Sequence, residues 1–335
     1  MTQVVPTAPT TRQPSPGHLL LPFGWAAEPL AAMLRAEASL LIDLFAIDQP
    51  RMHLIALALA HLEPEMPFEL ARLLLRGSVR EVLDQILPQH PAGVGRTLEH
   101  LPAGVLKREN YRRLVDLLAD RQAAKVLYHG IKFDDVAIRV LAEMPQPLRG
   151  SLAIAVPEWP YKLDRLTEGL QFLVSRGIAS TLEALVAELA PVASERRLAV
   201  VIERWVAALP LPETMPPAGF AKARRLDEFA KVRSLARAWC NCLADYRHAI
   251  DDGACAVYLW DDWESPAACV VQRRGRLGWF LDEVKGPRNA TVEARQLATI
   301  TGAFADVGVP SRQIVRAIER ITCADIDRQC ENEES

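Results

Sequence analysis

The chain has 335 residues, half of them hydrophobic, with 39 Lys and Arg against 42 Asp and Glu and a net charge of −3. That length and apolar content allow a sizeable core and two domains, and exclude a disordered or fibrous chain. The near-neutral balance excludes a chain-wide cationic footprint, so a nucleic-acid surface has to be local. No uninterrupted apolar run of about 18 residues occurs, so no membrane contact is expected.

Residues 1–17 are rich in Pro, Thr, Gln and Ser and are expected to form a disordered tail. They lack the basic segment and apolar core of a secretory leader, so the expected location is cytoplasmic. The segment Leu19 to Trp25 is expected to dock on the first helix. From Glu28 to Leu209 the pattern is helical and punctuated by prolines at positions 64, 88, 102, 145, 191 and 210. Proline lacks the N–H that a helix needs and restricts the residue before it, so these are helix stops.

An internal echo runs through this region. Gly77, Gly130 and Gly177 each separate one helical segment from an amphipathic helix that ends at a proline. Ser78, Asp134 or Asp135, and Ser180 are the expected N-caps. Stacked helical hairpins in a solenoid-like array, or an irregular helical domain, both satisfy this pattern. Residues 18–210 are therefore read as a helical scaffold domain. Leu211 to Gly219, with three prolines and a closing Gly, reads as a linker.

Beyond it, Leu226, Phe229, Ala236, Trp239, Leu243, Tyr246 and Ile250 recur at helical spacing, predicting one long helix over 220–250. Gly253 is its expected left-handed cap. Cys255 to Trp260, Ala268 to Gln272 and Leu277 to Val284 read as three strands of an antiparallel meander, the last two joined through Arg273-Arg-Gly-Arg276. A helix over 292–305 follows. The expected fold class is thus mainly α: a helical-hairpin N-terminal region, then a small α+β domain over 220–325 with helix, three-stranded sheet and helices. A polar tail closes the chain at 326–335.

Several residues of this last domain occur in an order that resembles the PcfJ-like family. They are Cys242-Leu-Ala-Asp-Tyr246, Gly253, Pro266 ahead of a strand, and Gly286-Pro-Arg-Asn289. The resemblance covers about Phe220 to Ala305. It implies an association with conjugative plasmids, phages and bacterial chromosomes, and supplies no reaction. Asn241 stands where the family has His, Ala244 replaces a Gly, and Cys269 and Val271 fall near a family Thr and Glu. Polar chemistry at those positions is expected to be lost. Cys242, Tyr246, Gly253, Gly286 and Asn289 are expected to act structurally, fixing the helix on the sheet.

All six cysteines lie in the last third of the chain and are expected as buried free thiols. Cys240 and Cys242, two apart on the predicted helix, point about 200° from one another and cannot share one ion. No His-Glu-x-x-His, phosphate-loop or dinucleotide motif occurs, so neither cofactor nor metal is expected. Asp251, Asp252, Asp261, Asp262 and Glu264 flank the first strand and offer the alternative of a Mg²⁺ site in a divergent enzyme.

The most concrete candidate surface is basic. Arg273, Arg274 and Arg276 crowd one hairpin tip and Arg288 lies beyond the third strand; Trp260, Trp263 and Trp279 are candidates to stack on bases. A helix carrying Arg312, Arg316 and Arg320 after a Gly turn loosely matches helix-turn-helix, with an ordinary helical hairpin as the alternative. The leading expectation is a non-enzymatic accessory protein contacting DNA or RNA. A protein partner held by the helical array is the second.

Overall fold

The computed structural model describes residues 20–36, 38–62, 68–87, 89–129, 133–210, 215–262 and 264–322. It is mainly α with a small α+β part, as expected, and divides into two compact units, Met1–Ala142 and Glu143–Ser335. Among the described residues no helix is long and apolar enough to cross a membrane. The predicted tails lie outside the described residues.

The first unit contains α1 (Ala27–Ala36), α2 (Gln49–His61), α3 (Phe68–Arg76), α4 (Val79–Ile86), α5 (Val94–Leu98), α6 (Arg108–Ala119), α7 (Arg121–His129) and α8 (Asp135–Glu143), whose last residue opens the second unit. Helix α2 is its axis: every residue from Met52 to Ala60 is buried, so its neighbours surround it. Asp48 caps it by accepting from Arg51 N at 2.8 Å. Ser78 caps α4 in a capping box with Glu81, and Asp134 caps α8 through Ala137 N, as expected.

One polar residue lies within the buried stretch of α2. The His53 ring bonds to Tyr111 Oη through Nδ1 and to Pro102 O through Nε2, both at 2.7 Å. The Tyr111 hydroxyl also accepts from Leu106 N at 3.2 Å. The accounting closes in one arrangement. Tyr111 donates to Nδ1, and the neutral imidazole donates from Nε2 to the carbonyl. Burial lowers the His53 pKa from its ordinary 6.5, the Pro102 bond opposing.

The second unit begins with α9 (Ser151–Ala155), α10 (Trp159–Lys162), α11 (Leu166–Ser175), α12 (Leu182–Leu189) and α13 (Glu195–Ala208). Helices α8, α12 and α13 end just before the sequences Met144-Pro145, Ala190-Pro191 and Leu209-Pro210, where the prolines act as stops. Thr181, not Ser180, caps α12.

An antiparallel sheet follows, in the order β1 (Gly219–Phe220), β2 (Ala223–Arg225), β3 (Cys255–Trp260), β4 (Ala267–Arg274), β5 (Gly278–Lys285). Between β2 and β3 run α14 (Phe229–Trp239), a 3-10 turn (Cys242–Tyr246) and α15 (Arg247–Asp251); α16 (Ala294–Asp306) and α17 (Arg312–Thr322) close the unit. The three predicted strands are present, and two short ones extend the sheet.

Strand β4 explains the continuous apolar run in the sequence, because both its faces are covered. Ala267, Cys269 and Val271 pack with Ile300 and Phe304 of α16. Ala268 and Val270 pack with Val232 and Ala236 of α14 and with Leu243. Phe304 meets Phe220 and Tyr258 edge-on, with ring centroids 4.9 and 5.5 Å apart.

Two expectations need correction. The single helix over 220–250 is instead two short strands, α14, the 3-10 turn and α15. Cys240 takes the left-handed conformation (φ 49°) and ends α14, while the Asn241 side chain accepts from Leu243 N to start the next turn. The linker at 211–219 is not where the compact units divide. Helix α17 buries Val315, Ile318 and Ile321, and Ile318 lies against Gly169 of α11, with Ile202 of α13 beside it. The helices before the proline-rich stretch thus share a core with one after it. Gly77 and Gly177 of the internal echo fall in different units, and Gly130 lies outside the described residues.

Candidate nucleic-acid interface

Cys242, Tyr246, Gly286 and Asn289 gather near the far end of β5, whereas Gly253 lies at the hairpin-tip end, where Arg273 N donates to Ala254 O at 2.9 Å. Cys242 Sγ faces Asn289 Oδ1 at 3.7 Å, joining the 3-10 turn before α15 to the turn after β5. Gly286 is buried, and its N–H donates to Ala290 O at 2.9 Å. Gly253 takes φ 65°, the left-handed cap expected of it. Arg288 and Asn289 are left-handed too, at φ 57° and 58°, conformations that cost a side-chain-bearing residue energy.

The register shows a β-bulge where Val270 pairs Glu283 and Val271 pairs Leu281, leaving Asp282 as the extra residue. Two consecutive acids therefore sit on β5. Asp282 accepts from Gln272 Nε2 at 2.9 Å and pairs Arg312 at 3.1 Å. Burial raises its pKa, with the Arg312 charge opposing. Burial also raises the Tyr246 hydroxyl, with Glu283 and Asp282 adding to the effect. A groove of about 520 Å³ runs beside β5, lined by Arg165, Glu283, Lys285, Thr301 and Arg312 among others.

Cys240 and Cys242 do not lie on one helix, contrary to expectation. Asn241 between them is extended, and their sulfurs face different oxygens, those of Arg237 and Asn289. Both thiols are exposed rather than buried; Cys255 and Cys269 are buried as expected, their thiols pushed up to about 12 by that burial. Cys323 and Cys330 lie outside the described residues. The carboxylates flanking β3 are drawn to cations: Asp251 pairs Arg247 at 3.5 Å and Asp262 pairs Lys222 at 2.9 Å. Among the described residues no group of three or more His, Cys, Asp or Glu is placed to hold a metal ion.

The four candidate arginines do not form one surface. Arg288 is separated from the hairpin tip by the eight residues of β5, roughly 25 Å of strand. At the tip, Arg274 pairs Glu319 of α17 at 2.6 Å, and Arg276 donates to Leu209 O at 3.1 Å. Arg273 is exposed with no ion pair among the described residues. Trp260 and Trp279 are core residues, 3% and 7% exposed, and cannot stack on bases. Trp263 lies outside the described residues.

The Arg274–Glu319 pair links the tip to α17, and there the charge continues. Arg312, Arg316 and Arg320 recur every four residues on the side opposite the buried Val315, Ile318 and Ile321. Arg312 is committed to Asp282. Arg316 is exposed. Arg320 donates to Tyr161 O at 2.8 Å and to Arg316 O at 3.3 Å. Nearby, Arg176 donates to Leu277 O and Pro210 O, at 2.9 and 3.2 Å. These carbonyls fix the guanidiniums of Arg176, Arg276 and Arg320 without neutralising them. Helices α16 and α17 form a helical pair: α17 lays its apolar face on α11 and α13, and Leu281 N donates to Pro310 O in the connector from α16.

Comparison of the chain with protein-family models, curated proteins and solved structures finds no match.

Proposed function

We propose that the protein is a non-enzymatic, PcfJ-like accessory factor whose second unit contacts nucleic acid through the hairpin tip and α17. The observation that carries this reading is a set of guanidiniums held in place by carbonyls, and for Arg176 also by the Phe172 ring, with no carboxylate among these partners. Arg176, Arg276 and Arg320 are positioned by neutral acceptors, while Arg273 and Arg316 stand exposed beside them. Fixed positive charge without a carboxylate partner suits phosphate, where arginine binds bidentately and releases counterions. The resemblance to a family found on mobile elements points the same way. Arg288, at the other end of β5, has no part in this surface.

The test is charge reversal at the two exposed positions, Arg273→Glu with Arg316→Glu, in the full chain. Binding to a labelled oligonucleotide at low salt is expected to fall at least tenfold, since each phosphate contact adds about one counterion. The unfolding midpoint is expected to change little, because both side chains are exposed. Unchanged affinity would contradict the reading.

A protein partner on the first unit is the second reading. It is favoured by Ile42 and Phe45, two exposed apolar side chains within one short helical segment. Co-purification that survives removal of the basic face but is lost in Ile42→Ser with Phe45→Ser would support it.

A further inference from the structure

The basic face lacks the tryptophans that the sequence offered it, but it carries another aromatic. Tyr161 lies in α10, and its main-chain carbonyl accepts the Arg320 Nη1–H at 2.8 Å. That bond joins α10 directly to the arginine row of α17. Tyr161 is 58% exposed. The backbone that carries it is constrained: Pro160 lies within the short helix, and Glu158 opens the turn in a left-handed conformation at φ 56°. A tyrosine has only two side-chain torsions to order on binding. The neighbouring Lys162 adds no free charge, because it pairs Glu195.

Along α17, Arg316 and Arg320 are one turn apart, about 6 Å of helix rise. The residue that carries this exposed ring therefore holds one guanidinium by its main-chain carbonyl, with a second guanidinium a turn away on α17. In a duplex the base faces are stacked on one another and closed to a surface ring. An unpaired base offers its face to any aromatic, whatever its sequence. Phosphate attraction alone would serve both forms of nucleic acid; the ring adds a contact that only an unpaired base can use.

We propose that the α10–α17 surface takes single-stranded nucleic acid, with Tyr161 stacking on a base and Arg316 and Arg320 holding the flanking phosphates. This rests on the nucleic-acid reading above and narrows it to one form of ligand. The shared chemistry is that of DNA and RNA alike, so the test separates them.

Fluorescence anisotropy of the full chain with labelled oligo-dT, oligo-U and a mixed-sequence duplex, all of one length, provides the test. The single strands are expected to bind more tightly than the duplex. Tyr161→Ala is expected to weaken single-strand binding roughly tenfold or more. Duplex binding is expected to stay within about twofold, since no base face is lost there. Tyr161→Phe keeps the stacking ring and is expected to bind like the parent. Tyr161→Leu, which keeps apolar cover without a π face, serves if the alanine variant is unstable, and is expected to bind as weakly. Preference for oligo-U or oligo-dT assigns RNA or DNA. If the non-aromatic variants bind single strands normally while Arg316→Glu still weakens every ligand, the single-strand inference fails and the basic face stands. If the parent chain binds none of the three at low salt, both fail.

Discussion

Replacing Tyr111 by Phe removes one oxygen from the centre of the first unit and unpairs two buried groups. The hydroxyl accepts from Leu106 N at 3.2 Å and donates to His53 Nδ1 at 2.7 Å. Each buried group left without a partner costs roughly 1–3 kcal/mol, so the change should destabilise the protein by about 2–4 kcal/mol after relaxation. The ring remains, so the loss is not one of packing. The same network sets a pH dependence. The folded state holds His53 below its ordinary 6.5 by burial, while the unfolded chain takes up a proton near that value. Stability is therefore full above about pH 6.5 and is lost as the pH falls below it toward the folded pKa. Urea unfolding of the full chain at pH 7.5 and 5.5 measures both effects, with hydrogen exchange in α2 and α6 locating them. In His53→Gln the same acidification should remove less stability than in the parent. A Tyr111→Phe loss under about 0.5 kcal/mol, or parent and His53→Gln curves with equal pH dependence, would refute the assignment of donor and acceptor roles.

Phe304→Ala should cost about 3–5 kcal/mol and release the amides of β3, β4 and β5 to exchange, since Phe304 is wholly buried against Phe220 and Tyr258; protection unchanged in those strands would rule this out. Gly93→Ala should lower the melting temperature, because Gly93 sits at φ 83° and an added Cβ falls on the Tyr128 ring; strain of about 1–2 kcal/mol is the least expected. Brief iodoacetamide treatment of the native chain followed by peptide mass mapping should label Cys240 and Cys242 and spare Cys255 and Cys269, in line with their exposure. Labelling of Cys269 at the rate of Cys240 would place β4 nearer the surface than described.

Much of the second unit was legible because short strands are bounded by strong turn chemistry. Cys255 to Trp260 lies between Gly253 and the Asp-Asp pair at 261–262, and the structure places β3 on those six residues. The long helix over 220–250 failed for a physical reason. α14, the 3-10 turn and α15 all lay their apolar residues on the same sheet face, so Val232, Leu243 and Ile250 keep a helical rhythm across two breaks. The break at Cys240 uses a left-handed residue that is not glycine, and no proline marks it. β1 and β2 span only two and three residues and carry no pattern of their own.

The candidate interface was legible in its charge and not in its geometry. The i, i+4, i+8 spacing of Arg312, Arg316 and Arg320 follows from the sequence alone. That Arg312 is spent on Asp282, that Arg274 is spent on Glu319, and that Tyr161 stands beside Arg320 all depend on contacts between distant segments. Trp260 and Trp279 misled because their aromatic area serves the sheet core as readily as a ligand. The proline-rich stretch misled because composition reports a bend in the chain, not which helices share a core across it.

The most direct measurement is the affinity of the full chain for a labelled single-stranded oligonucleotide across a salt series. Phosphate contacts by Arg273, Arg316 and Arg320 predict that log affinity falls linearly with log salt, with a slope near −2 at about 0.7 per contact. The slope should shrink by about 0.7 in Arg316→Glu. No binding at low salt, or an affinity that salt does not change, would contradict the assignment of this face to nucleic acid.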